Sequence, residues 1–420
     1  MALPRESTAI DDILLSDMSF WQTPVTERDA AFARLRALPG LAFFPEPVQH
    51  VVPMGPGYHA VVRHADVVEV SRRPADFTSA PIATALENPV PGYAHYFDSL
   101  INFDGPRHAK MRRVVNRAFT HRAVQRLVSG VRATAAGIVD ELAERGPSDF
   151  VEHVAARLPL TVICDLIGIP ESERATVNRL STLFVCAADP EYTPDGPQSW
   201  AAEVLQACGT LQQLVLELCE LRQRQPADDV VTALSTANVD GERLTASEIG
   251  SFFILLVMAG NETTRNALAH ALQLLTDHPA QKASLTADLD GRLGGAVEEI
   301  LRYVPPINWM RRTVARPGVE LGGQRFEAGE KLLLFYWSAN RDEAVFADPQ
   351  RFDITRDTRQ SVTFGGWGPH YCLGAHLARH EITVLLGELL RRLPGIRAAG
   401  PPDRLVAGFV NGVKRLPCEF

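Results

Sequence analysis

The spacing of apolar residues predicts a chain that is mostly helical. Apolar positions recur at helical spacing through residues 107–301, and the most regular stretch runs over residues 245–277. Thr245 and Glu248 form a capping-box pattern at its start, and Pro279 follows its end. A helix of roughly 32 residues would be about 48 Å long at 1.5 Å per residue. We therefore expect this helix to cross the middle of the fold.

Short runs that resemble strands lie near both ends of the chain. Residues 58–63 read Y-H-A-V-V-R, residues 321–334 predict two short strands, and residues 405–420 predict a hairpin that turns at Asn411-Gly412. No linker, low-complexity tract or internal repeat divides the sequence. We expect one domain, mainly α with a minor β part. The expected division is an N-terminal extension over 1–20, a small β part mainly over 50–64 and 319–336 with 405–420, and an α-rich part over 65–318 and 375–393.

Two stretches without periodicity interrupt the helical pattern. Residues 78–103 are rich in Pro, Ala, Asn and Gly, and residues 187–198 separate two amphipathic segments. Long loops in compact domains are commonly lids or walls of a functional site. We expect both loops to cover such a site.

Composition narrows the class of protein. Hydrophobic residues make up 46% of the 420 residues and charged residues 22%, which is typical of a globular protein in water. The net charge of −8 argues against nucleic-acid binding. The longest apolar run, residues 252–260, is too short to span a membrane, and the charged first 21 residues resemble neither a signal peptide nor an anchor. We expect a cytoplasmic monomer with reduced thiols.

One of the six cysteines lies in an unusual setting. Cys372 follows a glycine-rich loop, F-G-G-W-G-P-H-Y-C-L-G-A, and a helical apolar pattern begins at Leu377. A thiolate is favoured at a helix N-terminus. A haem iron ligated by cysteine fits this arrangement. The other five cysteines are expected to be small buried apolar residues, and the absence of a C-x-x-C pair argues against zinc.

The middle of the long predicted helix carries polar residues. The segment reads A-G-N-E-T-T from Ala259, with Gly260, Glu262 and Thr263 in an otherwise apolar stretch. Gly260 and the Thr263 hydroxyl are expected to loosen the helix and open a groove, and the acid and the alcohol suit proton delivery to bound dioxygen. Alternatively, Thr263 bonds the carbonyl one turn back and Glu262 pairs with a cation.

Further charged residues suggest supporting roles. Glu299 and Arg302 are three residues apart on one helix face, and Arg351 is expected to complete a structural cluster with them. The two propionates of a haem require cations. The candidates, drawn from distant parts of the chain, are His108, Arg112, Arg312 and His370.

A basic helix face lies close to two of these candidates. Lys110, Arg113 and Arg117 make it basic although the chain is acidic overall. It is either a solvated surface or a docking site for a small acidic electron carrier near the cysteine side of the haem.

The cysteine loop, A-G-N-E-T-T, E-x-x-R, P-Q-R-F and H-x-x-x-R occur in the order and spacing of the cytochrome P450 monooxygenases in their soluble bacterial form. The resemblance covers roughly residues 50–420. It implies the family's triangular α-rich prism, with the haem between the long central helix and the helix after the cysteine loop. It implies insertion of one oxygen atom from O2 into a C–H bond. Electrons would come from NAD(P)H through a ferredoxin reductase and a ferredoxin.

The same resemblance assigns roles to single residues. Cys372 matches the axial thiolate of haem b, Glu262 and Thr263 the acid–alcohol pair, and Glu299, Arg302 and Arg351 the structural triad. The residues matched to the haem's surroundings are His108, Arg112, Ala259, Gly260, Arg312, Phe364, Gly365, His370 and Gly374. Arg311 is an alternative to its neighbour Arg312. The sequence departs from the commonest pattern in one place, because Gly365 stands seven residues before the cysteine and Phe364 stands eight before it.

The motifs resemble most those of actinobacterial enzymes that hydroxylate methyl-branched fatty chains and sterol side chains. The resemblance implies a small hydrophobic substrate, such as a methyl-branched fatty acid, a sterol side chain or a terpenoid. Alternatives are a tailoring hydroxylase of a polyketide or aromatic secondary metabolite, a peroxygenase, a non-enzymatic haem–thiolate sensor and a helical protein without a cofactor. The residues expected to line the pocket, most of them apolar, are Leu255, Met258, Ile307, Asn308, Trp309, Phe409 and Val410.

Overall fold

A computed structural model describes residues 10, 12–46, 55–89, 94–118, 121–239 and 242–420. Helices form most of the ordered structure, as the apolar spacing predicted. They are α1 (Met18–Gln22), α2 (Val25–Arg36), α3 (His64–Arg72), α4 (Gly105–Ala118), α5 (His121–Arg145), α6 (Arg157–Ile167), α7 (Glu171–Leu183), α8 (Pro197–Arg224), α9 (Val230–Thr236), α10 (Ala246–Asp277), α11 (Pro279–Ala287), α12 (Leu289–Tyr303), α13 (Tyr336–Ala339) and α14 (Ala375–Arg392). A 3-10 turn spans Ala94–Tyr96, and a π-helical turn spans Val151–Ala155.

The strands are short and gather into small sheets. They are β1 (Ala42–Phe44), β2 (Tyr58–Val61), β3 (Phe77–Thr78), β4 (Ser148–Asp149), β5 (Asn238–Val239), β6 (Glu242–Arg243), β7 (Trp309–Val314), β8 (Val319–Leu321), β9 (Gln324–Phe326), β10 (Lys331–Phe335), β11 (Arg397–Ala398), β12 (Asp403–Arg404), β13 (Val413–Arg415) and β14 (Pro417–Glu419). The largest sheet has the order β1-β2-β10-β7-β3, and within it only β2 and β10 run parallel.

Helix α10 is the predicted long helix, and it packs against α6, α7, α8, α12 and α14. Its capping box is present, since Thr245 Oγ1 accepts from Glu248 N at 3.2 Å and Glu248 Oε2 accepts from Thr245 N at 3.0 Å. Most of its residues are buried because apolar side chains surround the helix. Residues of its first half belong to one apolar cluster, together with residues of α6, α7 and α8. Residues of its second half belong to another, together with residues of α5, α12 and α14.

The sheets differ from the expected β part in their extent. Strand β7 lies inside the largest sheet, between β10 and the edge strand β3, although residues 65–318 were expected to be α-rich. Its sequence, W-M-R-R-T-V, hides the strand alternation because the strand has buried residues on both faces, including Arg311 and Arg312. Strands β1, β3 and β4 also lie outside the expected ranges.

The predicted turn at Gly322-Gly323 is present between β8 and β9, and both glycines have positive φ. The predicted hairpin over 405–420 is wrong, because β13 pairs with β12 across residues 405–412 and β14 pairs with β11 and β4 instead. Residues 50–54 of the expected β part, and residues 1–9 and 11 of the expected extension, lie outside the described residues.

Among the described residues, no single helix has the length and apolar character needed to cross a membrane, and one sharply bent pair, Val151–Ile167 with Glu171–Leu183, meets those limits only when the two are taken together.

Candidate active site

The loop before α14 holds Cys372 through backbone hydrogen bonds. Cys372 N donates to Phe364 O at 2.9 Å, and Gly365 N donates to Val362 O at 2.8 Å. Gly365 has a φ of +104°, which favours glycine because an L side chain is strained there. Val362 N in turn donates to Asn340 Oδ1 at 2.8 Å, which ties the loop to the end of α13. The loop is therefore closed on itself and braced from outside.

The other glycines of the loop approach α3 closely. A Cβ added at Gly368 would lie 1.8 Å from Ser71 O, and one at Gly366 would lie 2.5 Å from Ser71 Oγ. These two glycines are therefore required by the packing of the loop on α3. In contrast, a Cβ at Gly374 would meet nothing within 4 Å. Gly366 and Gly368 therefore contact α3 and not a cofactor, whereas the close approach of backbone to a cofactor at Gly374 stays a prediction.

Cys372 is exposed by surface area, yet protein surrounds it closely. Burial raises the pKa of its thiol, whereas the N–H groups of Gly374 and Ala375 and the cations Arg112 and Arg379 favour the thiolate. Both observations fit a sulfur atom on the wall of a recess. These two N–H groups and two cations would stabilise the sulfur as a metal-ligating thiolate.

The middle of α10 presents an accessible strip inside a buried helix. Leu255, Met258 and Thr263 are partly exposed and Ala259 is exposed, although the turns on both sides are buried. Positions three or four residues apart lie on one helix face. Leu255 and Met258 belong to the same apolar cluster as Leu373, which follows the cysteine. This strip and the cysteine loop therefore border a common interior space.

Gly260 does not loosen the helix as the sequence analysis expected. Helix α10 is continuous from Ala246 to Asp277, and a Cβ at Gly260 would lie 2.7 Å from Ile163 Cδ1 in α6. The glycine thus allows two helices to pack closely. The Thr263 hydroxyl donates to Ala259 O at 2.8 Å, which is the alternative that the sequence left open.

Glu262 is buried and already paired. Arg265 Nη1 donates to Glu262 Oε1 at 3.0 Å, and Thr182 Oγ1 of α7 donates to the same atom at 3.3 Å. Its neighbour Asn261 donates to Asn178 Oδ1 and Ser181 Oγ of α7. The carboxylate is thus held in a polar seam between α7 and α10.

Four cationic or basic side chains from distant parts of the chain converge beside the cysteine loop. The rings of His108 and His370 are 4.4 Å apart, and Arg112 Nη2 donates to Tyr371 O at 3.0 Å. Burial lowers the pKa of all four side chains, His108, Arg112, Arg312 and His370. For His108, burial together with the nearby His370 and Arg112 lowers the pKa to about 4.

The Nε2 atom of His108 is buried and has no hydrogen-bond partner among the described residues. Nε2 of His370, in contrast, lies 3.0 Å from Ser79 Oγ and 3.4 Å from Asp104 Oδ1. An unpartnered polar atom inside a basic cluster fits a carboxylate ligand. The residues present therefore fit a haem, with Cys372 for the iron and this cluster for the propionates.

The structure separates the neighbours Arg311 and Arg312. Arg311 Nη1 donates to Leu86 O at 2.9 Å and Nη2 to Asn88 Oδ1 at 2.8 Å, whereas Arg312 interacts with the basic cluster. Adjacent residues of a strand point to opposite faces. Arg311 therefore fastens the loop at 78–103 to β7, and Arg312 is the one on the cysteine side.

The expected structural triad is wrong in one member. Arg302 donates to Glu299 at 2.7 and 2.8 Å, and both side chains are fully buried. Arg351 is largely exposed and lies 3.5 Å from Asp353 instead. Arg356 takes the third place, with its Nε 3.2 Å from Glu299 Oε1. The Arg351 side chain is directed to solvent and Asp353, whereas Arg356 is directed to the buried Glu299.

The predicted pocket residues divide into two groups. Leu255, Met258, Ile307 and Phe409 are partly exposed, as wall residues would be. Trp309 instead packs edge-on against Phe409 at 5.1 Å between ring centroids, and Val410 is buried in a bridge with Ile307.

Asn308 is also buried. Its Nδ2 donates to Gly408 O at 3.1 Å, so its amide group holds the last loop, and its Oδ1 has no partner among the described residues.

Some residues near the site escaped the sequence reasoning. Arg379 lies over the Phe364 ring at 4.2 Å and pairs with Glu298, which gives Phe364 a defined place despite its shift by one residue. Asp104 accepts from Ser79 N and Ala80 N and faces His370. Arg265 is the partner of Glu262. Sequence spacing is a signal that could have indicated two of them, since Arg265 lies one helical turn after Glu262 and Arg379 lies seven residues after Cys372.

On α4, Lys110 is partly exposed and Arg113 is exposed, on either side of Arg112. The side chain of Arg117 lies outside the described residues.

The comparisons with known proteins agree with one another. The family model described as Cytochrome P450 matches residues 46–395. The "Methyl-branched lipid omega-hydroxylase" of Mycobacterium tuberculosis (strain ATCC 25618 / H37Rv) is 40% identical over 420 residues, which are 99% of this chain and 96% of that protein. The "Steroid C26-monooxygenase" of Rhodococcus jostii (strain RHA1) is 39% identical over 393 residues, which are 93% of this chain and 81% of that protein.

A solved structure is similar over the whole chain. It is the Mycobacterium marinum cytochrome P450 CYP268A2 in complex with pseudoionone, with 41% sequence identity, a TM-score of 0.91 and full coverage of both chains. The mainly helical fold with small sheets is therefore the fold of this family.

Proposed function

The chain belongs to the cytochrome P450 family and is a monooxygenase, and we propose that it hydroxylates hydrophobic molecules that carry a methyl-branched chain. Branched fatty acids, sterol side chains and terpenoids are the substrates we infer. The observation that carries this proposal is the 40% identity over nearly the full length to a methyl-branched lipid omega-hydroxylase. The similarity to a steroid C26-monooxygenase supports a pocket for branched chain ends.

The apolar strip of α10 supports a hydrophobic substrate. Leu255 and Met258 lie on the accessible strip, and Ile307 and Phe409, in the segments after α12 and before β13, are also partly exposed. Burying a methyl-branched chain end against these side chains gains about 25 cal/mol per Å² of apolar surface. The same surfaces exclude water from the site.

We propose that Cys372 holds the iron of haem b and that His108, Arg112, Arg312 and His370 hold its propionates. A haem ligated by cysteine activates O2 because the thiolate pushes electron density toward O–O cleavage. The amides of Gly374 and Ala375 orient and stabilise the sulfur. The buried Nε2 of His108 supports the propionate assignment, because a carboxylate would give it the partner that it lacks.

We propose that Thr263 and Glu262 manage protons at the site. Thr263 Oγ1 lies on the accessible strip and can turn from Ala259 O to donate a proton toward the interior space. Glu262 lies on the opposite side, against Thr182 and Arg265, so it can receive protons through the polar seam with α7. In this arrangement Glu262 would pass a proton to the Thr263 hydroxyl, which would donate it toward the interior space.

Bacterial members of the family receive electrons from redox partners. We propose a ferredoxin, reduced by NAD(P)H through a ferredoxin reductase, that docks near Lys110, Arg113 and Arg117. Arg112 between them bonds Tyr371 O, so this face of α4 adjoins the cysteine loop. An acidic partner would be attracted to it, and the attraction would weaken with salt.

Substrate binding to the haem-loaded protein tests the proposal. A methyl-branched fatty acid should shift the Soret band, and a straight chain with the same number of carbons should shift it less or bind at least roughly tenfold more weakly, which corresponds to 1.4 kcal/mol. Product analysis with a ferredoxin and its reductase should find the hydroxyl group at the chain end. If small aromatic compounds shift the band and branched lipids and sterols do not, the substrate class is wrong.

A further inference from the structure

Arg28 in α2 is a buried guanidinium without a hydrogen-bond partner. Only 2% of the residue is exposed, and its side chain makes no hydrogen bond or ion pair with the described residues. Its guanidinium carbon lies 4.4 Å from the centroid of the Trp337 ring. A cation–π contact offsets part of the cost of burial. It leaves the buried Nε–H of the guanidinium without an acceptor among the described residues, which is costly inside a protein.

The neighbours of Arg28 add positive charge. Arg341 lies 3.9 Å from the same Trp337 ring centroid. The positive charges of Arg341 and of Arg404 in β12 act on Arg28, and those of Arg28 and Arg404 act on His270 in α10. Burial together with Arg404 and Arg341 lowers the pKa of Arg28 to about 9, and burial together with Arg404 and Arg28 lowers that of His270 to about 3. At neutral pH this leaves three guanidinium groups beside a neutral imidazole.

Among the described residues, Asp29 is the carboxylate whose charge acts on both Arg28 and Arg341, and its oxygens already accept hydrogen bonds from other groups. Asp29 accepts from Trp337 Nε1 at 2.8 Å and from Arg341 Nε at 3.1 Å. Asp277 acts on Arg404 from the far end of α10. Arg28 therefore has no counter-charge of its own among the described residues.

Other donors of the same cluster lack acceptors as well. Arg341 Nη1 and Asn411 Nδ2 are buried without a partner, and Asn411 belongs to the cluster because its carbonyl oxygen lies 2.9 Å from His270 Nε2. Water would satisfy these donors only by bringing protons of its own that need acceptors. A group that only accepts satisfies them completely, and a negative charge also reduces the repulsion between the cations.

We propose that Arg28 binds one buried monatomic anion, chloride under physiological conditions, with Arg341, Arg404 and Asn411 as its other neighbours. The low exposure of Arg28 excludes a bulky anion such as a phosphate ester. The anion connects α2, the segment after α13 and the last hairpin, all outside the cysteine site. Its role is structural, and it makes the stability of the fold depend on halide.

The test uses the haem-loaded full chain and bromide as the probe. Crystals grown in bromide should show an anomalous peak within about 3.5 Å of a guanidinium nitrogen of Arg28. In solution, Tm at constant ionic strength should rise by roughly 1–3 °C for each tenfold increase in chloride over gluconate, because the anion binds only the folded chain. Arg28→Met, which keeps the contact with Trp337, should lose this rise.

Arg34→Met is the matched control, since Arg34 lies on the surface of the same helix α2 and pairs with Asp12. It should keep the chloride dependence of the parent. A water molecule instead of bromide at Arg28 in the crystals would overturn the proposal. So would a chloride dependence that survives in Arg28→Met. If Arg28→Met fails to fold, the bromide crystals of the unmutated chain still decide the question.

Discussion

Glu262 Oε1 lies 3.0 Å from Nη1 of Arg265, one turn further along the central helix, so the acid at the proposed proton path is paired within its own helix. Both side chains are almost fully buried. The pair fixes the carboxylate toward α7 and away from the interior space. On the proposed proton path, transfer through Glu262 would therefore depend on how tightly Arg265 holds it.

Replacing Arg265 should slow proton delivery. In Arg265→Met the buried carboxylate loses its cation, which disfavours the ionised form. We expect kcat to fall roughly tenfold or more and the solvent isotope effect on kcat to grow. Arg265→Lys, which keeps the charge, should recover part of the rate. An Arg265→Met enzyme with unchanged kcat and isotope effect would remove Glu262 from the path.

Removing the Thr263 hydroxyl should separate electron use from product formation. Thr263→Ala loses the only hydroxyl on the accessible strip formed by Leu255, Met258, Ala259 and Thr263. We expect product per NAD(P)H consumed to fall roughly 10- to 100-fold, while Thr263→Ser stays close to the parent. The measurement compares NAD(P)H consumption with product. Equal coupling in both variants would favour a protein without catalytic use of this hydroxyl, such as a sensor.

The corrected triad gives a matched pair of stability variants. Arg356→Met removes a buried donor to Glu299 and should lower the free energy of unfolding by about 2–3 kcal/mol. Arg351→Met removes an exposed side chain and should change it by less than about 0.5 kcal/mol. Denaturant unfolding of the two variants measures both values. A larger loss for Arg351→Met would restore the assignment made from the sequence.

Substitutions of the two adjacent arginines of β7 should affect different properties of the enzyme. Arg311→Met releases Leu86 and Asn88, so the loop at 78–103 loosens and KM should rise several-fold with little loss of haem. Arg312→Met removes a cation from the proposed propionate cluster, so haem should dissociate faster. The rate of haem transfer to apomyoglobin measures this dissociation. Identical effects of both variants would contradict the separation of their roles by strand alternation.

Glu381 should make the stability depend on pH. It is almost fully buried in α14, its Oε2 has no partner among the described residues, and burial raises its pKa to about 8. The folded state then holds a proton that the unfolded chain releases above its pKa of about 4.5. Stability should therefore fall as pH rises from about 4.5 to 8 and level off above that.

Glu381→Gln separates this contribution from those of other groups. The variant should lose the decline and be more stable than the parent at pH 8, with the difference vanishing near pH 4. Urea unfolding across this pH range measures it. A parallel decline in the variant would assign the pH dependence to other residues.

Several features could be read from the amino-acid sequence because they depend on neighbours along the chain. The capping box of Thr245 and Glu248 marks the start of α10, and apolar spacing marks its length. The glycines around Cys372 mark a loop that only glycine can form at Gly365. Local signals of this kind act within a few residues, so they are visible without a fold.

Other features required the folded chain, because partners far apart in sequence compete for the same position. Arg351 and Arg356 are equally plausible partners of Glu299 until the path of the loop leaves one of them exposed. The opposite roles of Arg311 and Arg312 follow from the two faces of β7, a strand whose burial hides its alternation. The isolation of Arg28 is visible only once the described residues around Trp337 are assembled. Which charges meet is decided by packing in space, whereas the chain alone specifies where helices begin and which loop carries the sulfur.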